Sequence, residues 1–554
     1  MKPTRMFQLR RKPALLGTLV LLCAASCRSN AQHKADADLE VYELVATRRA
    51  KLALGEPSFT IEPDPDSLRQ RLLRGEVPDP GPLTLVQCLQ IASENSRDYQ
   101  ARKERLYIVA LDLTLERWRF ALHPGAVASA RVDGLGDEAQ TASAAGSASL
   151  SKLLGTGTEI VTGIGLSLAR ALTFSDDGWH PVGDIGFSIT QPLLRGFGSE
   201  IVEEPLTQAE RDVVYEVRSF ERFRRTFAFE VASRYWRLLE TADEVENQEN
   251  NVANLEKLSA RNEALAESGR LSDIEVGQAQ QNELRSRNQL IEARARLATQ
   301  LDDFKFFLGL PIEVELSADP AELAAIVAAA GTEELPQERD AIAIALSERL
   351  DHRNVLDQFD DVRRSVVLAE DQLEGILQVN VLADVQSEEG KPLKYDFRDT
   401  TWAATLAWRL PIDLLPERNA YRLALIGVQV AARNCQASED SIRADLRDEL
   451  RTTRTREESW QIQLRAVELA QRRIESTELK QAAGRADTRD VLDAQEALLA
   501  ARNAATSALI DYTLARLALW RDMELLRIDE QGLRVDKELL PGGSGAAGPQ
   551  QVEG

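Results

Sequence analysis

Two carboxylates three residues apart, Asp490 and Asp493, stand in the segment GRADTRDVLDAQ (484–495). On a helix this i, i+3 spacing puts both on one face, where together they attract cations. Acids are also favoured at any helix N-terminus, so two ordinary solvated side chains satisfy the same pattern. Little else offers chemistry. The four histidines (His33, His123, His180, His352) have no metal-ligand spacing. Of the four cysteines, Cys23 and Cys27 lie near the N-terminus, while Cys88 and Cys435 stand alone in helical contexts and read as buried apolar residues. There is no nucleophile motif and no glycine-rich phosphate loop, and the lone candidates Ser93 and His352 read as helix-surface residues. The chain reads as a non-enzyme with no cofactor and no metal.

The acidic segment has an earlier double, GRLSDIEVGQAQ (269–280). At an offset of 215 residues Gly269/Gly484, Arg270/Arg485, Val276/Val491, Ala279/Ala494 and Gln280/Gln495 are identical, and Arg287-Asn288 matches Arg502-Asn503 further on. The two acids Asp490 and Asp493 are read as features of the later copy alone. A duplicated turn needs two duplicated hairpins to carry it, so the rest of the chain is best read as a repeat.

The 554 residues carry 67 Lys+Arg against 89 Asp+Glu, a net charge of −22. That excludes a nucleic-acid binder, which needs a basic footprint. Residues 1–26 read as a signal peptide, with Arg10, Arg11 and Lys12 before the apolar run PALLGTLVLLCAAS. AASC (24–27) resembles a bacterial lipobox, which would make Cys27 the lipidated first residue of the mature chain. No later stretch is apolar enough to span a membrane as a helix, so any membrane entry must be made by strands.

Residues 27–82, rich in Pro toward their end, read as an extended N-terminal arm. A Gly- and Pro-free stretch from Leu83 to His123 predicts one helix, with Thr84 as N-cap and Gln87 as its capping-box partner. The region 124–192 is rich in Gly, Ser, Thr and Ala. Its alternation at Ile160, Thr162, Ile164 and at Ile185, Phe187, Ile189 predicts strands with one apolar face. Residues 206–268 predict a helix of roughly 95 Å at about 1.5 Å per residue. A turn at Gly269 and a return helix over 272–308 complete the first repeat, 83–311. After a linker (312–337) the second repeat spans 338–528. It predicts a helix over 338–374, strands within 377–412, a long helix over 428–483, the turn at Gly484 and a return helix over 488–528. Residues 529–554 read as a disordered tail.

On the last helix Val491, Ala494, Leu498, Ala501, Ala505, Ala508, Tyr512, Ala515 and Leu519 recur at spacings of three and four. This is a heptad seam, mostly of alanine, that lets helices approach closely in a tube wall. A second line at Leu492, Leu499 and Leu509 offers a contact on the other side.

Taken together, LTLVQCLQIASENSRDYQ (83–100), ITQPLLRGFG (189–198) and the duplicated turns resemble the TolC family of outer-membrane channel proteins over roughly 83–528. The resemblance implies a mainly α fold with a transmembrane β-barrel portion, built from two tandem repeats of helix, strands, long helix, turn and helix. It implies a homotrimer in the outer membrane of a Gram-negative bacterium. Each subunit would give four strands to a twelve-stranded barrel in lipid and its helices to a periplasmic tube, and because 144–154 and 159–172 both read as strand-like, the surplus in 124–192 is taken as an extra hairpin or long loops. It implies the exit duct of a tripartite efflux pump or type I secretion system, with a periplasmic adaptor and an inner-membrane transporter as partners. It also implies roles at the turns. Asp490 and Asp493 would form acidic rings at a periplasmic gate, where they would draw cations and repel anions. Glu275 matches an acid of the first turn, Gln481 stands where the family example has a Tyr, and Ala486 where it has an Arg. The tips Gly269-Arg270 and Gly484-Arg485 would dock the adaptor. The competing reading is a periplasmic coiled-coil scaffold or adaptor lipoprotein. It accounts poorly for two strand-rich insertions between long helices.

Overall fold

The computed structural model describes residues 28–52, 59–76, 81–135, 139–171, 178–331, 334–388, 390–529 and 532–540. The signal segment, Cys27 and the stretch beyond 540 lie outside the described residues.

Residues 30–51 are a helix, where an extended arm was expected. α1 (Asn30–Lys51) is started by a capping box in which Ser29 and Gln32 satisfy each other's backbone. Val41, Leu44 and Val45 then recur at helical spacing and are buried in the main core. Prolines farther along the arm had set the expectation, but none falls within the helix. A short α2 (Leu68–Leu73) follows.

β1 (Pro82–Leu83) leads into α3 (Leu85–Asn95), capped by Thr84 and Gln87 as expected, and then into α4 (Arg97–Arg119). The single helix predicted over this stretch is thus two, broken at Ser96, whose backbone is extended (φ −68°, ψ 132°). The second repeat breaks at the corresponding place. α9 (Glu338–Glu348) and α10 (Leu350–Asp371) are separated by Arg349 (φ −60°, ψ 117°). In each break the N–H still donates four residues back, Ser96 to Ala92 and Arg349 to Ala345. Neither break has a Gly or Pro to mark it.

The strand region of the first repeat holds four strands: β2 (His123–Leu135), β3 (Ala139–Leu153), β4 (Glu159–Ala171) and β5 (His180–Pro192). After the short α5 (Ser199–Val202), α6 (Glu204–Glu267) runs 64 residues, about 96 Å at 1.5 Å per residue. α7 (Asp273–Leu308) returns along it. The linker carries β6 (Ser317–Ala318), which pairs in parallel with β1, and α8 (Pro320–Ala329). The second repeat adds β7 (Ile376–Gln386) and β8 (Thr401–Arg409). α11 (Leu415–Ala482) has 68 residues and begins before the predicted start, because the helix runs on through Gly427. α12 (Thr488–Asp522) ends earlier than predicted, before Glu524, whose positive φ of 63° no helix accommodates. β9 (Leu526–Asp529) replaces the end of the predicted return helix and pairs antiparallel with β10 (Gly532–Val535), which lies in what had read as disordered tail.

The six long strands form one open antiparallel sheet in the order β2-β3-β4-β5-β7-β8. Four strands per chain was the expectation, so the twelve-strand count taken from three copies does not follow. The surplus strand-like stretches of 124–192, which had read as an extra hairpin or long loops, are paired into the same sheet.

The main core lies where α1, α3, α4, α6 and the end of α7 converge, around the fully buried Leu106, Leu113, Tyr235 and Leu308. Tyr235 donates its hydroxyl to the Leu83 carbonyl at 2.8 Å and accepts from the Asp319 N–H at 3.3 Å, fastening the linker to the first repeat. The seam on α12 is buried as its spacing predicts, with Val491, Ala494, Tyr512 and Leu519 each at most 1 % exposed. Cys88 is buried and Cys435 half-buried, both as free thiols, and burial pushes the Cys88 thiol up to about 12.

Candidate gate at the hairpin tips and candidate membrane face

At the first tip, α6 ends in a Schellman motif. Gly269 adopts φ 71°, its N–H donates to Ala266 at 2.8 Å, and the Arg270 N–H donates to Leu265 at 2.9 Å. The second tip repeats it, with Gly484 at φ 66°, its N–H on Gln481 at 2.9 Å and the Arg485 N–H on Lys480 at 2.8 Å. A Cβ at either glycine would meet open space, so the backbone angle alone calls for glycine. Arg270 and Arg485 are both exposed.

Each return helix then starts with a capping box at the same place. Ser272 and Glu275 form the first, and Asp487 and Asp490 the second. The 215-residue offset therefore sets Asp490 opposite Glu275, and an acid at this position is common to both copies. Its work in the fold is to satisfy a backbone donor. Asp490 Oδ2 accepts from the Asp487 N–H at 3.2 Å, and Glu275 Oε2 from the Ser272 N–H at 3.3 Å. Asp493 differs. Its counterpart is Gln278, it is exposed, and among the described residues it makes no side-chain hydrogen bond or ion pair. Gln481 is half-buried and its Oε1 is buried without a partner.

The two hairpins meet just above the tips. Leu255 and Leu258 of α6 pack with Ile474, Val491, Leu492 and Ala494 of the second hairpin. Within this contact Asn262, fully buried, donates from Nδ2 to Thr488 Oγ1 at 3.1 Å. Sequence reasoning missed this pair, although a signal was present. Val245, Gln248, Val252, Leu255, Ser259 and Asn262 follow three- and four-residue spacings and are all buried. A polar residue in such a seam marks a register-fixing contact. Gln248 is a second case, donating to Ser286 Oγ at 2.9 Å. The repeat also preserves a cross-helix contact farther up: Arg287 bonds Glu256 at 2.8 Å and Arg502 bonds Gln471 at 3.4 Å, each pair 215 residues from the other.

At the other end of the helices the sheet has one mainly apolar face and one mainly small or polar face. On one side of β2 stand Pro124, Ala126, Ala128, Ala130 and Val132, paired with Leu150, Ala148, Gly146, Ala144 and Ala142 of β3. The same face continues through Ile160, Ile164, Leu166 and Leu168 of β4 and Ile185, Phe187 and Ile189 of β5. It ends on Val379, Val381, Ala383 and Val385 of β7 and on Trp402, Ala404, Leu406 and Trp408 of β8. Thr162 is its one mid-strand polar residue on β4; Lys152, Arg170 and Gln191 sit toward strand ends. The opposite face carries mostly small or polar residues, among them Ser129, Ser147, Gly165, Asp184, Asn380 and Thr405, with Val127, Val161, Val182 and Leu382 as apolar exceptions. Trp402, Leu406 and Trp408 are 75 %, 66 % and 69 % exposed in the single chain. With strands of 9 to 15 residues, this is the pattern of a wall with lipid on one side and water on the other. Among the described residues no helix is long and apolar enough to cross a membrane.

His352 is not the surface residue it had seemed. It is 3 % exposed, with Nδ1 3.0 Å from Ser438 Oγ. Ser93 donates to the Gln90 carbonyl within its own helix.

The architecture is thus a set of long helical hairpins joined to a six-stranded sheet with one apolar face. Residues 168–310 match the outer membrane efflux protein family. Among solved structures the chain resembles CusC, from work on its folding and transmembrane channel formation, at 12 % identity and a TM-score of 0.59, covering 79 % of this chain and 91 % of that one. It resembles the outer-membrane channel OprN at 14 % and 0.55, covering 84 % and 95 %, and the Campylobacter jejuni outer membrane channel CmeC at 13 % and 0.56, covering 79 % and 85 %. At such identities the likeness is one of fold. No curated protein sequence matches.

Proposed function

We propose that the chain is the exit duct of a tripartite efflux pump or type I secretion system, through which cargo passes passively from periplasm to exterior. Three copies assemble around one axis, a periplasmic adaptor docks at the tips Gly269-Arg270 and Gly484-Arg485, and an inner-membrane transporter supplies the energy. The observation that carries this reading is the continuous apolar face of the sheet, set at one end of helices about 100 Å long. A periplasmic scaffold would leave that face in water.

The tips form the gate. Asp493 of each copy lies on a ring that draws cations and repels anions. Asp490 and Glu275 add charge nearby while holding their helix caps, and Gln481 lies beside the turn. The polar Asn262–Thr488 contact helps hold the tips together, in a chain where Gln481 and Ala486 replace the Tyr and Arg of the family example.

The test is to extract the full-length chain from membranes, measure its oligomeric state in detergent and record its conductance in planar bilayers. A detergent-requiring trimer with discrete, cation-favouring conductance steps is expected. A monomer that leaves membranes in high salt and conducts nothing overturns the reading.

A further inference from the structure

The sheet has more strands than the twelve-strand reading needs, and none of them is loose. β3 pairs with β2 and with β4 over thirteen residue pairs each, and β4 pairs with β5 over eleven. The division into apolar and polar faces runs unbroken from β2 to β8, so the added strands obey the same two solvents as the others. A hairpin folded away from the wall would have no reason to continue the apolar face of β4 in register through β3 and β2.

The edges are also telling. β2 and β8 are outermost, with 13 and 9 residues. Soluble proteins blunt such edges with lysines, prolines, bulges or a covering helix. β8, TWAATLAWR, has no lysine and no proline, and β2 has a single proline, Pro124, near its start. In a lipid setting these backbone donors and acceptors have to be paired.

We propose that all six strands of each copy enter the membrane wall and that β2 of one copy pairs with β8 of the next, so that three copies close an eighteen-stranded barrel. The proposal rests on the three-copy channel reading above. The sheet's order supports the seam. Six antiparallel strands leave β8 running opposite to β2, so the joint continues the antiparallel ladder. Side-chain size also fits, since the small Ala126, Ala128 and Ala130 of β2 come beside the large Trp402, Leu406 and Trp408 of β8. With strands about 4.8 Å apart and tilted about 40°, eighteen of them span about 36 Å between opposite backbones, against about 24 Å for twelve. The outer-membrane opening is then wide enough for bulky cargo, and selection falls to the tips.

Disulfide cross-linking on the polar face tests the seam, because oxidant reaches that face from water. Thr405→Cys on β8 is combined in turn with Gly125→Cys, Val127→Cys, Ser129→Cys and Arg131→Cys on β2. A second series combines it with Val161→Cys, Gly163→Cys, Gly165→Cys and Ser167→Cys on β4, the strand β8 would meet if β2 and β3 lay outside the wall. The chain without introduced cysteines controls for Cys88 and Cys435. Covalent dimers and trimers are expected at one or two neighbouring β2 positions and at no β4 position. A trimer linked through β4, or through neither strand, overturns the eighteen-strand wall while leaving the channel intact. A chain that stays monomeric in detergent overturns the channel reading itself, and the proposal with it.

Discussion

Asn262 and Thr488, 226 residues apart, share a buried hydrogen bond of 3.1 Å that ties the outgoing helix of the first hairpin to the tip of the second. Replacing Asn262 with Ala leaves the Thr488 hydroxyl buried without its donor, at a cost of about 1–2 kcal/mol. That cost falls on the tip contact alone. Asn262→Ala is expected to raise the mean conductance of the reconstituted channel and to speed tryptic cleavage after Arg270 and Arg485. If both readouts match the unmodified chain, the pair does not hold the tips closed.

The two acids that first drew attention are now unequal. Asp490 has one oxygen on the Asp487 N–H, while Asp493 points from an exposed position with no partner among the described residues. Asp493→Asn should therefore move the reversal potential in a KCl gradient toward zero. Asp490→Asn should move it less and instead lower stability by about 0.5–1 kcal/mol through the weakened cap. Equal shifts from the two variants would return Asp490 to full membership of the ring.

Gly269 and Gly484 sit at φ 71° and 66° with open space around the missing side chain. Gly→Ala at either tip is then a purely conformational change, expected to cost about 1–2 kcal/mol. A Cβ at either glycine has nothing within 4 Å, so the two substitutions share no partner and their costs should add in the double variant. Denaturant midpoints of the two single variants and the double variant measure this. Unchanged midpoints would mean the Schellman turns are not held in the assembled protein.

Much of this was legible because the repeat is periodic. The seam on α12, the Thr84–Gln87 capping box and the turn at each glycine follow from spacing that local physics enforces. What escaped was encoded weakly or in the partner. The breaks at Ser96 and Arg349 carry no Gly or Pro, and only their recurrence at a 253-residue offset betrays them. The stretch 144–154 was legible as strand-like, but β3 sets Ala and Gly against Ser and β2 sets Ala against Gly, Val, Ser and Arg, so the place of both in the sheet shows only when the pairing aligns six strands. That an acid stands at this position in both copies was missed, because the likeness of Asp490 to Asp493 as an acid was more visible than its equivalence to Glu275 as a cap.

The junction between the repeats supplies a prediction in pH. Arg222 on α6 contacts Asp351 on α10 at 3.2 Å and Glu524, beyond the end of α12, at 2.6 Å, and Arg225 also bonds Glu524. Burial by itself would raise the Asp351 carboxyl. The Arg349 hydrogen bond at 2.8 Å, with the Arg222 and Arg349 charges, outweighs it and holds the group below the usual carboxylate range. A depressed folded-state value means that the charged form stabilises the fold above the unfolded value, near pH 4, and that this contribution is lost as pH falls through the folded value. With the Asp351 side chain 41 % exposed, solvent screening keeps the contribution to about 1 kcal/mol. Asp351→Asn should therefore melt below the unmodified chain at pH 7, and the gap should close as pH is lowered past 4. A gap that stays constant from pH 7 to pH 3 would show that the substitution acts through packing and not through the charge.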